Sequence, residues 1–467
     1  MQISSPLFLF LFLPLTLPIL PLCPPKYRKP AMALISIAFL VLANLQNPLA
    51  FAPIGAVLLL TCVLVCTPTE IFSRLRLILG IALPVSILLA ARLLAEFFPE
   101  QYTYPFGLGL ITLGAISICM DHYRADVLER ETPLGVIGYL LFFPTVTLGP
   151  VLRYKQYLYL AEHTKTTLPG FCDGLLLYIK GFLKRLAVCT VLLSSLQSIL
   201  SVMDYDALLP LPVLLLALLV SFLLLYFLVS GITDMSRGLM AIYGYTPPRG
   251  QGRFFGNVAP YRMLGALNCS LDAFLEDYLA TPLKRLFPQK WGRMLAALLV
   301  CSCTILFYRT HPALLLVALP LLVCAVLLAQ KPKYLRRPRA RLLRAPLAAI
   351  SHLALSLFAL ALLLEDPLSL FTLIVGAFRE SEPFGLYRAL MSFTYRNHLI
   401  TLLAFLLIWA PLSRYLPRLV KKCSARVQDA CRYTYAMILL ALFVLALLLL
   451  LPQFPQFANL AYGKRPL

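Results

Sequence analysis

Long apolar runs alternate with short polar interruptions along nearly the whole chain. Runs approaching the ~20 apolar residues needed to cross a bilayer fall at roughly 6–22, 33–50, 51–67, 76–98, 106–120, 175–200, 207–229, 294–308, 313–330, 346–364, 398–412 and 433–451. Each is expected to be helical, because a chain in hydrocarbon must satisfy its own backbone. Several are short or carry proline, so the pattern predicts an all-α, polytopic membrane protein of about 11–13 transmembrane or re-entrant helices. The first block, SSPLFLFLFLPLTLPILPLC, has no basic n-region and no A-x-A-like cleavage site, and reads as a retained first span. Residues 231–293, rich in Gly, Pro and charge, are the one extended stretch without a clear span. They are expected to form cytoplasmic loops and short helices within a single transmembrane domain covering 1–467. No internal repeat and no long linker divides the chain.

Composition agrees with this pattern. Of 467 residues, 60% are hydrophobic and only 13% charged, where soluble domains carry about one quarter; the mean hydropathy is +0.84. The net charge of +21 does not point to nucleic acid, because the basic residues sit in short loops. These are Lys26, Arg28 and Lys29; Lys331, Lys333, Arg336, Arg337, Arg339, Arg341 and Arg344; and Arg414, Arg418, Lys421, Lys422 and Arg426. Basic loops stay cytoplasmic. That places 24–31, 331–345 and 413–432 inside, and the amino terminus, the turn near Thr310, the loop 365–394 and the C-terminal tail outside. The same loops offer contacts to anionic membrane lipid. Twelve cysteines lie mostly in apolar blocks, and Cys301 and Cys303 have neither a redox nor a zinc spacing. With five scattered histidines and no His/Cys/carboxylate cluster, no metal site is expected.

Four segments break the apolar pattern, and polar groups in a bilayer are costly enough to mark function. The first, GLGLITLGAISICMDHYRAD (107–126), ends an apolar helix in Asp121, His122, Tyr123 and Arg124. An acyltransferase could use a His–Asp pair. The soluble-type glycerolipid acyltransferases want four residues between the two, whereas His122 and Asp126 have three between them, though they share a helix face. The alternative is an interfacial helix end with its charges in water. In the second, LLFFPTVTLGPVLRYKQY (140–157), Pro144 and Gly149–Pro150 forbid one continuous helix. A kinked or re-entrant element buried in protein fits it. Arg153, Tyr154 and Lys155 follow, suited to an anionic donor or headgroup or to plain interfacial anchoring. The third, LLLYFLVSGITDMSRGLMAIYGYTPP (223–248), interrupts its apolar run with Ser230, Gly231, Thr233, Asp234 and Ser236. Asp234 needs a partner if buried, and Arg237 lies three residues on; a helix end and restart capped by Thr233 or Asp234 is the other reading. The fourth joins ALNCSLDAFLEDYLATPL (266–283) to CTILFYRTHPALLLVALPLL (303–322), where Tyr308, Arg309, Thr310 and His311 precede Pro312.

In this order the segments resemble the membrane-bound O-acyltransferase (MBOAT) family, in its branch of bacterial alginate O-acetylases and D-alanyl-teichoic-acid transferases. With the two residues before it, the first segment, PFGLGLITLGAISICMDHYRAD (105–126), resembles "P-x-G-I-S-F-x-T-F … D-x-Y-R-G" at Pro105, Gly107, Asp121, Tyr123 and Arg124. FFPTVTLGPVLRYKQY is similar to "FFP…GP-I-x-R-Y", and GLLLYIKGFLKRLAV to "G-L…G-L-x-K-K". YFLVSGITDMSRG resembles "Y-F-D-F-S-G-Y-S-D-x-A-x-G", keeping Ser230, Gly231, Asp234 and Gly238 with Leu228 in place of the first Asp. The resemblance implies a helical bundle around a central tunnel in the bacterial inner membrane. There a cytoplasmic acyl thioester, on a carrier protein or coenzyme A, meets an outer-side hydroxyl of an envelope glycan or glycolipid. No bound cofactor is implied, and a soluble extracytoplasmic partner often completes transfer.

The same resemblance implies a histidine base, since imidazole titrates near working pH, with a second motif histidine nearby. ALNCSLDAFLEDYLATPL aligns with "R-R-W-H-I-S-L-S-x-W-x-R-D-Y-x-Y-x-P-L", matching Ser270, Leu271, Asp277, Tyr278, Pro282 and Leu283. Its histidine falls on Asn268. The family's "L-W-H-G" lands on LFYR, so its principal histidine falls on Tyr308, with His311 three residues beyond. Asn268 cannot titrate near neutral pH, and a tyrosine with an ordinary pKa near 10 is a poor base. Two readings follow. In one the chain is an O-acyltransferase with His311 as base, Asn268 and Tyr308 in support, and Arg153, Asp234, Ser230 and Asp277 holding substrate. In the other it is a catalytically inactive relative that binds lipid or acyl chain or serves as a partner subunit. A secondary transporter fits less well, because no hydropathy repeat is present.

Overall fold

The computed structural model describes residues 3–19, 23–45, 47–67, 74–98, 100–124, 132–146, 149–164, 167–200, 211–248, 250, 265–287 and 424–450. It also describes single positions 289, 292, 295, 296, 299, 300, 303, 304, 353 and 420. The expected spans at 313–330 and 398–412, and nearly all of 294–308 and 346–364, lie outside these residues, as do Tyr308 and His311.

The described chain is helical, with no strand among the described residues. A π-helical turn Phe8–Phe12 and an α-turn Leu13–Thr16 open it. Then come α1 (Pro25–Asn44), α2 (Phe51–Cys66), α3 (Arg74–Phe97), α4 (Leu108–Tyr123), α5 (Pro133–Leu140), α6 (Tyr154–Glu162), α7 (Leu168–Leu183), α8 (Cys189–Leu200) and α9 (Leu211–Ile242). After these follow α10 (Cys269–Leu275), α11 (Thr281–Leu286) and α12 (Ala425–Leu450). A π-helical turn Lys184–Val188 joins α7 to α8, and another, Glu276–Ala280, joins α10 to α11. Among the described residues, four helices are long and apolar enough to cross a membrane: Pro48–Cys66, Arg74–Phe97, Val213–Ile242 and Arg426–Leu448. The chain is an all-α polytopic membrane protein.

One departure from the expected pattern concerns α9. The apolar run was expected to end near 229 and give way to loops from 231, yet the helix continues to Ile242. Glycines at 231 and 238, which read as breakers in isolation, here lie at close helix contacts that compensate their low helix propensity.

The chain forms two compact units: the described residues of the first fall within Met1–Tyr178 and Ile232–Gly250, those of the second within Ile179–Gly231 and Gln251–Gln453. In the first, α3 packs on α4, α2 on both, and α1 on α5. Its core is aromatic. Phe8, Phe12, Phe39 and Phe143 lie with ring centroids 5.4–6.4 Å apart, and Phe143 meets Tyr243 edge-on at 5.4 Å. Such edge-to-face pairs stabilise beyond their buried area. Thr16 Oγ1 and Tyr243 Oη share a 2.6 Å hydrogen bond, and Tyr178 Oη donates to the Ile3 carbonyl. The opening apolar block is thus part of this core. In the second unit, α12 packs against the Lys184–Val188 turn, with Phe182 and Phe443 at 5.0 Å.

Candidate functional site

The break at 140–157 organises the first unit. Proline lacks an N–H, and Pro150 disfavours helix at the residue before it. After α5 the chain makes only the turn Phe143–Val146, runs non-helical through 149–153 and re-enters helix at Tyr154. Leu141, Phe142, Phe143, Pro144, Val151 and Leu152 are buried, as expected for a broken element enclosed by protein. Lipid cannot satisfy the freed backbone groups, and side chains do it instead. Ser36 Oγ accepts from Phe143 N at 3.2 Å, Ser117 Oγ from Tyr154 N at 2.9 Å, and Asp121 Oδ2 from Lys155 N at 3.2 Å. Tyr139 Oη donates to the Leu152 carbonyl at 2.9 Å, and Gln156 Oε1 accepts from Arg153 N at 3.2 Å. Asp121, fully buried, therefore places its carboxylate at the N-terminus of α6, where the helix dipole favours negative charge.

His122 follows on the same helix end. Its Nδ1 lies 2.9 Å from the Ile118 carbonyl. A carbonyl only accepts, so Nδ1 carries the proton, and in the neutral ring Nε2 holds the lone pair. The ring stacks on Tyr154 at 5.8 Å. Asp126, its expected carboxylate neighbour, lies outside the described residues.

The third polar segment joins the same unit through α9. A Cβ on Gly149 would stand 2.5 Å from Ser236 Oγ and 2.7 Å from the Pro144 carbonyl, so only glycine permits this approach. Asp234, 8% exposed, has its partner: Arg237 Nη1 at 3.4 Å. Arg237 Nε also donates to the Pro248 carbonyl at 2.7 Å, tying the loop after α9 back onto the helix. In that loop Tyr245 meets Phe142 edge-on at 5.1 Å. Burial pushes its phenol up to about 12, with the Thr164 hydroxyl and Arg28 pulling the other way, so Tyr245 stays protonated. A small open pocket lies beside the break, between Leu110 and Gly114 on one side and Phe142, Thr145, Val151 and Leu152 on the other.

The second unit holds Ser230, Asn268 and Asp277. Lys184 Nζ donates to Ser230 Oγ at 2.7 Å. Asn268 is the N-cap of α10: its Oδ1 accepts from Leu271 N at 3.2 Å and from Ser270 Oγ at 2.6 Å. The residue is 2% exposed, and its Nδ2 has no hydrogen-bond partner among the described residues. Asp277 is half-buried on the π-helical turn after α10. Among the described residues no group of three His, Cys, Asp or Glu side chains is placed to hold a metal ion.

No sequence-family model matches the chain. It is 26% identical over 301 residues to the probable alginate O-acetylase AlgI of Pseudomonas fluorescens, covering 60% of this chain and 56% of that protein. The proteins of the same name from Pseudomonas aeruginosa and Azotobacter vinelandii match at 25% and 26% over 308 residues, covering 60% of this chain and 56% and 59% of theirs. The chain is similar to the alginate O-acetylases. These are members of the membrane-bound O-acyltransferase family, whose motifs the polar segments resemble. The chain spans a little over half the length of these curated relatives.

Set beside the alginate O-acetylase resemblance, three of the four polar segments meet in the first unit: 107–126 through Asp121, 140–157 through Gly149 and Lys155, and 232–248 through Ser236. Arg153, at the start of α6, and Asp234 belong to this assembly. Sequence reasoning missed Ser36, Ser117 and Tyr139. Ser117 carried a usable signal, a hydroxyl one helical turn before Asp121 in an otherwise apolar run. Ser36 carried none, because its partner, Phe143 N, is 107 positions away.

Proposed function

We propose that the chain is the membrane-embedded part of an O-acylation system in the bacterial inner membrane, with its amino terminus outside. An acyl group of acetyl or D-alanyl type passes from a cytoplasmic thioester to a hydroxyl of an extracytoplasmic glycan or glycolipid. The similarity to proteins named alginate O-acetylases carries this reading. In the step, the acceptor oxygen bonds to the thioester carbonyl carbon, the C–S bond breaks, and the hydroxyl proton passes through a base to the departing thiolate. His311 is the base in this reading, with Tyr308 and Asn268 in support. Arg153, Asp234, Ser230 and Asp277 belong to the framework around the substrates. The donor is carried by coenzyme A or an acyl carrier on the cytoplasmic side, and a soluble extracytoplasmic transferase is the natural partner for a polymeric acceptor.

A second reading rests on one observation. The Asn268 oxygen is committed to capping α10, an architectural use that needs no proton transfer. A catalytically inactive relative that binds acyl chain or a partner protein fits it.

The test is the ester-linked acyl content of the envelope glycan, released with mild alkali and quantified by mass spectrometry. It compares a deletion strain with the deletion complemented by wild type or by His311→Ala. Acyl groups lost on deletion and restored by wild type alone support an enzyme using His311. Equal restoration by both, with His311→Ala stably inserted, favours the non-catalytic subunit. No loss on deletion overturns the acylation reading.

A further inference from the structure

Two polar side chains meet at depth in the second unit. Ser230 lies in the middle third of the Val213–Ile242 span of α9 and is 1% exposed. Lys184 opens the π-helical turn between α7 and α8 and is half-buried. Its Nζ stands 2.7 Å from Ser230 Oγ. The backbone brings the two together. A Cβ on Gly231 would stand 2.9 Å from the Gly181 carbonyl and 3.1 Å from Arg185 N, so the turn lies directly against α9 beside Ser230. π-Helical turns inside helices recur at functional sites, and an ionisable group at bilayer depth is rare and reads as functional.

Ser230 differs from other buried hydroxyls in where its proton can go. A hydroxyl within a helix commonly donates to the carbonyl one turn back. Ser36, Thr61, Thr112, Ser195, Ser221 and Thr304 do so, at 2.7–2.9 Å. Ser230 makes no such bond, and among the described residues its one hydrogen bond is to Lys184. No carbonyl therefore competes for the hydroxyl proton, and a neutral lysine amine takes it. The separation falls within the reach of about 2.6–3.2 Å that a nucleophile and its base share. Serine with lysine as base is a recurring form of that arrangement. Lys184 is the more exposed of the two, so the pair is reached along the lysine side chain.

We propose that Ser230 and Lys184 form a nucleophile–base pair that carries the acyl group as a serine ester between donor and acceptor. This rests on the acyl-transfer reading above and divides its single displacement into two. First, Ser230 Oγ bonds to the thioester carbonyl carbon, its proton passes to the neutral Lys184 Nζ, and the C–S bond breaks. The lysine then returns the proton to the thiolate, and the thiol leaves. In the second step the acceptor oxygen bonds to the acyl carbon and the C–Oγ bond breaks. The acceptor proton passes through a base to Ser230 Oγ, which restores the free hydroxyl.

The first test needs neither the natural donor nor the natural acceptor. The full-length chain, purified in detergent, is treated with a fluorophosphonate, which phosphonylates serines that a base activates. The modified residue is located by peptide mass spectrometry. The wild type is expected to be labelled at Ser230. Lys184→Arg keeps the charge and a donor for Ser230 but does not deprotonate, and its labelling should be slower by about 100-fold. A wild type unlabelled at Ser230 overturns the pair without needing any variant to fold. Equal labelling of the wild type and of a Lys184→Arg protein with wild-type thermal stability overturns it too. A second arm separates this inference from the reading it rests on, by the ester content of the envelope glycan. Ester lost on deletion, restored by wild type and not by stably inserted Ser230→Ala supports the serine ester. Equal restoration by wild type and Ser230→Ala overturns the serine ester and leaves acyl transfer standing. No loss on deletion overturns both.

Discussion

Helices α3 and α9 are both apolar enough to cross a membrane, yet only 17% of the α3 span is buried within the protein against 72% of the α9 span. Hydropathy measures escape from water, and it cannot say whether lipid or protein takes the water's place. Small and polar residues make that distinction. Along α9, Ser221, Ser230, Gly231, Thr233, Asp234 and Ser236 are buried. On α3 the buried positions are Gly80, Pro84 and Ala91, a narrow stripe against α4 and α2. A helix that must satisfy side-chain hydrogen bonds and admit a neighbouring backbone is specified residue by residue. One that faces lipid needs only to be apolar.

This contrast can be tested by substitution, with stability read as thermal denaturation of the detergent-solubilised protein. The largest loss is expected at Gly238→Ala, where a Cβ would stand 2.5 Å from Tyr178 N and 2.7 Å from the Gly174 carbonyl. Backbone cannot step aside, so α7 and α9 must separate, at about 3 kcal/mol. Wild-type stability there would refute the close crossing. Next comes Asp234→Ala, which leaves Arg237 without its carboxylate. The pair is partly exposed and 3.4 Å long, so about 1–2 kcal/mol is expected, with Asp234→Asn losing less. Gly80→Ala should lose about 1 kcal/mol, because the atom it meets, Cys119 Sγ at 2.6 Å, can rotate away. At the bottom stands Leu93→Ala, on the exposed face of α3, expected within about 0.5 kcal/mol of wild type. A larger effect at Leu93 than at Gly80 would mean that α3 has a protein neighbour on that face.

Much of the helical framework was legible in the sequence. Apolar runs at 51–67 and 76–98 became α2 and α3 with ends shifted by a residue or two, and Pro144 with Gly149–Pro150 marked the break. The continuation of α9 was not legible, because a glycine that admits a crossing helix has the same letter as one that ends a helix. Gly231 and Gly238 are distinguished only by what approaches them: the Gly181 carbonyl in one case and Tyr178 N in the other. The candidate site was half legible. Asp234 with Arg237 followed from helical spacing, whereas Asp121 as the acceptor for Lys155 N joins positions 34 apart, and no periodicity reports that. For Asn268 the sequence named the position but not its part in capping α10.

The aromatic knot around Phe8 and Phe143 has a consequence for how the protein is made. Its hydrogen bonds join positions 227 apart, Thr16 to Tyr243, and 175 apart, Ile3 to Tyr178. The opening segment therefore leaves the ribosome long before its partners exist. Contacts so distant along the chain close late, and the waiting segment exposes Phe8 and Phe12 to whatever is near. Synthesis must hold the first strip of chain in reserve until α9 is complete, so a bulky fusion at the amino terminus would be felt at the last step of assembly rather than the first.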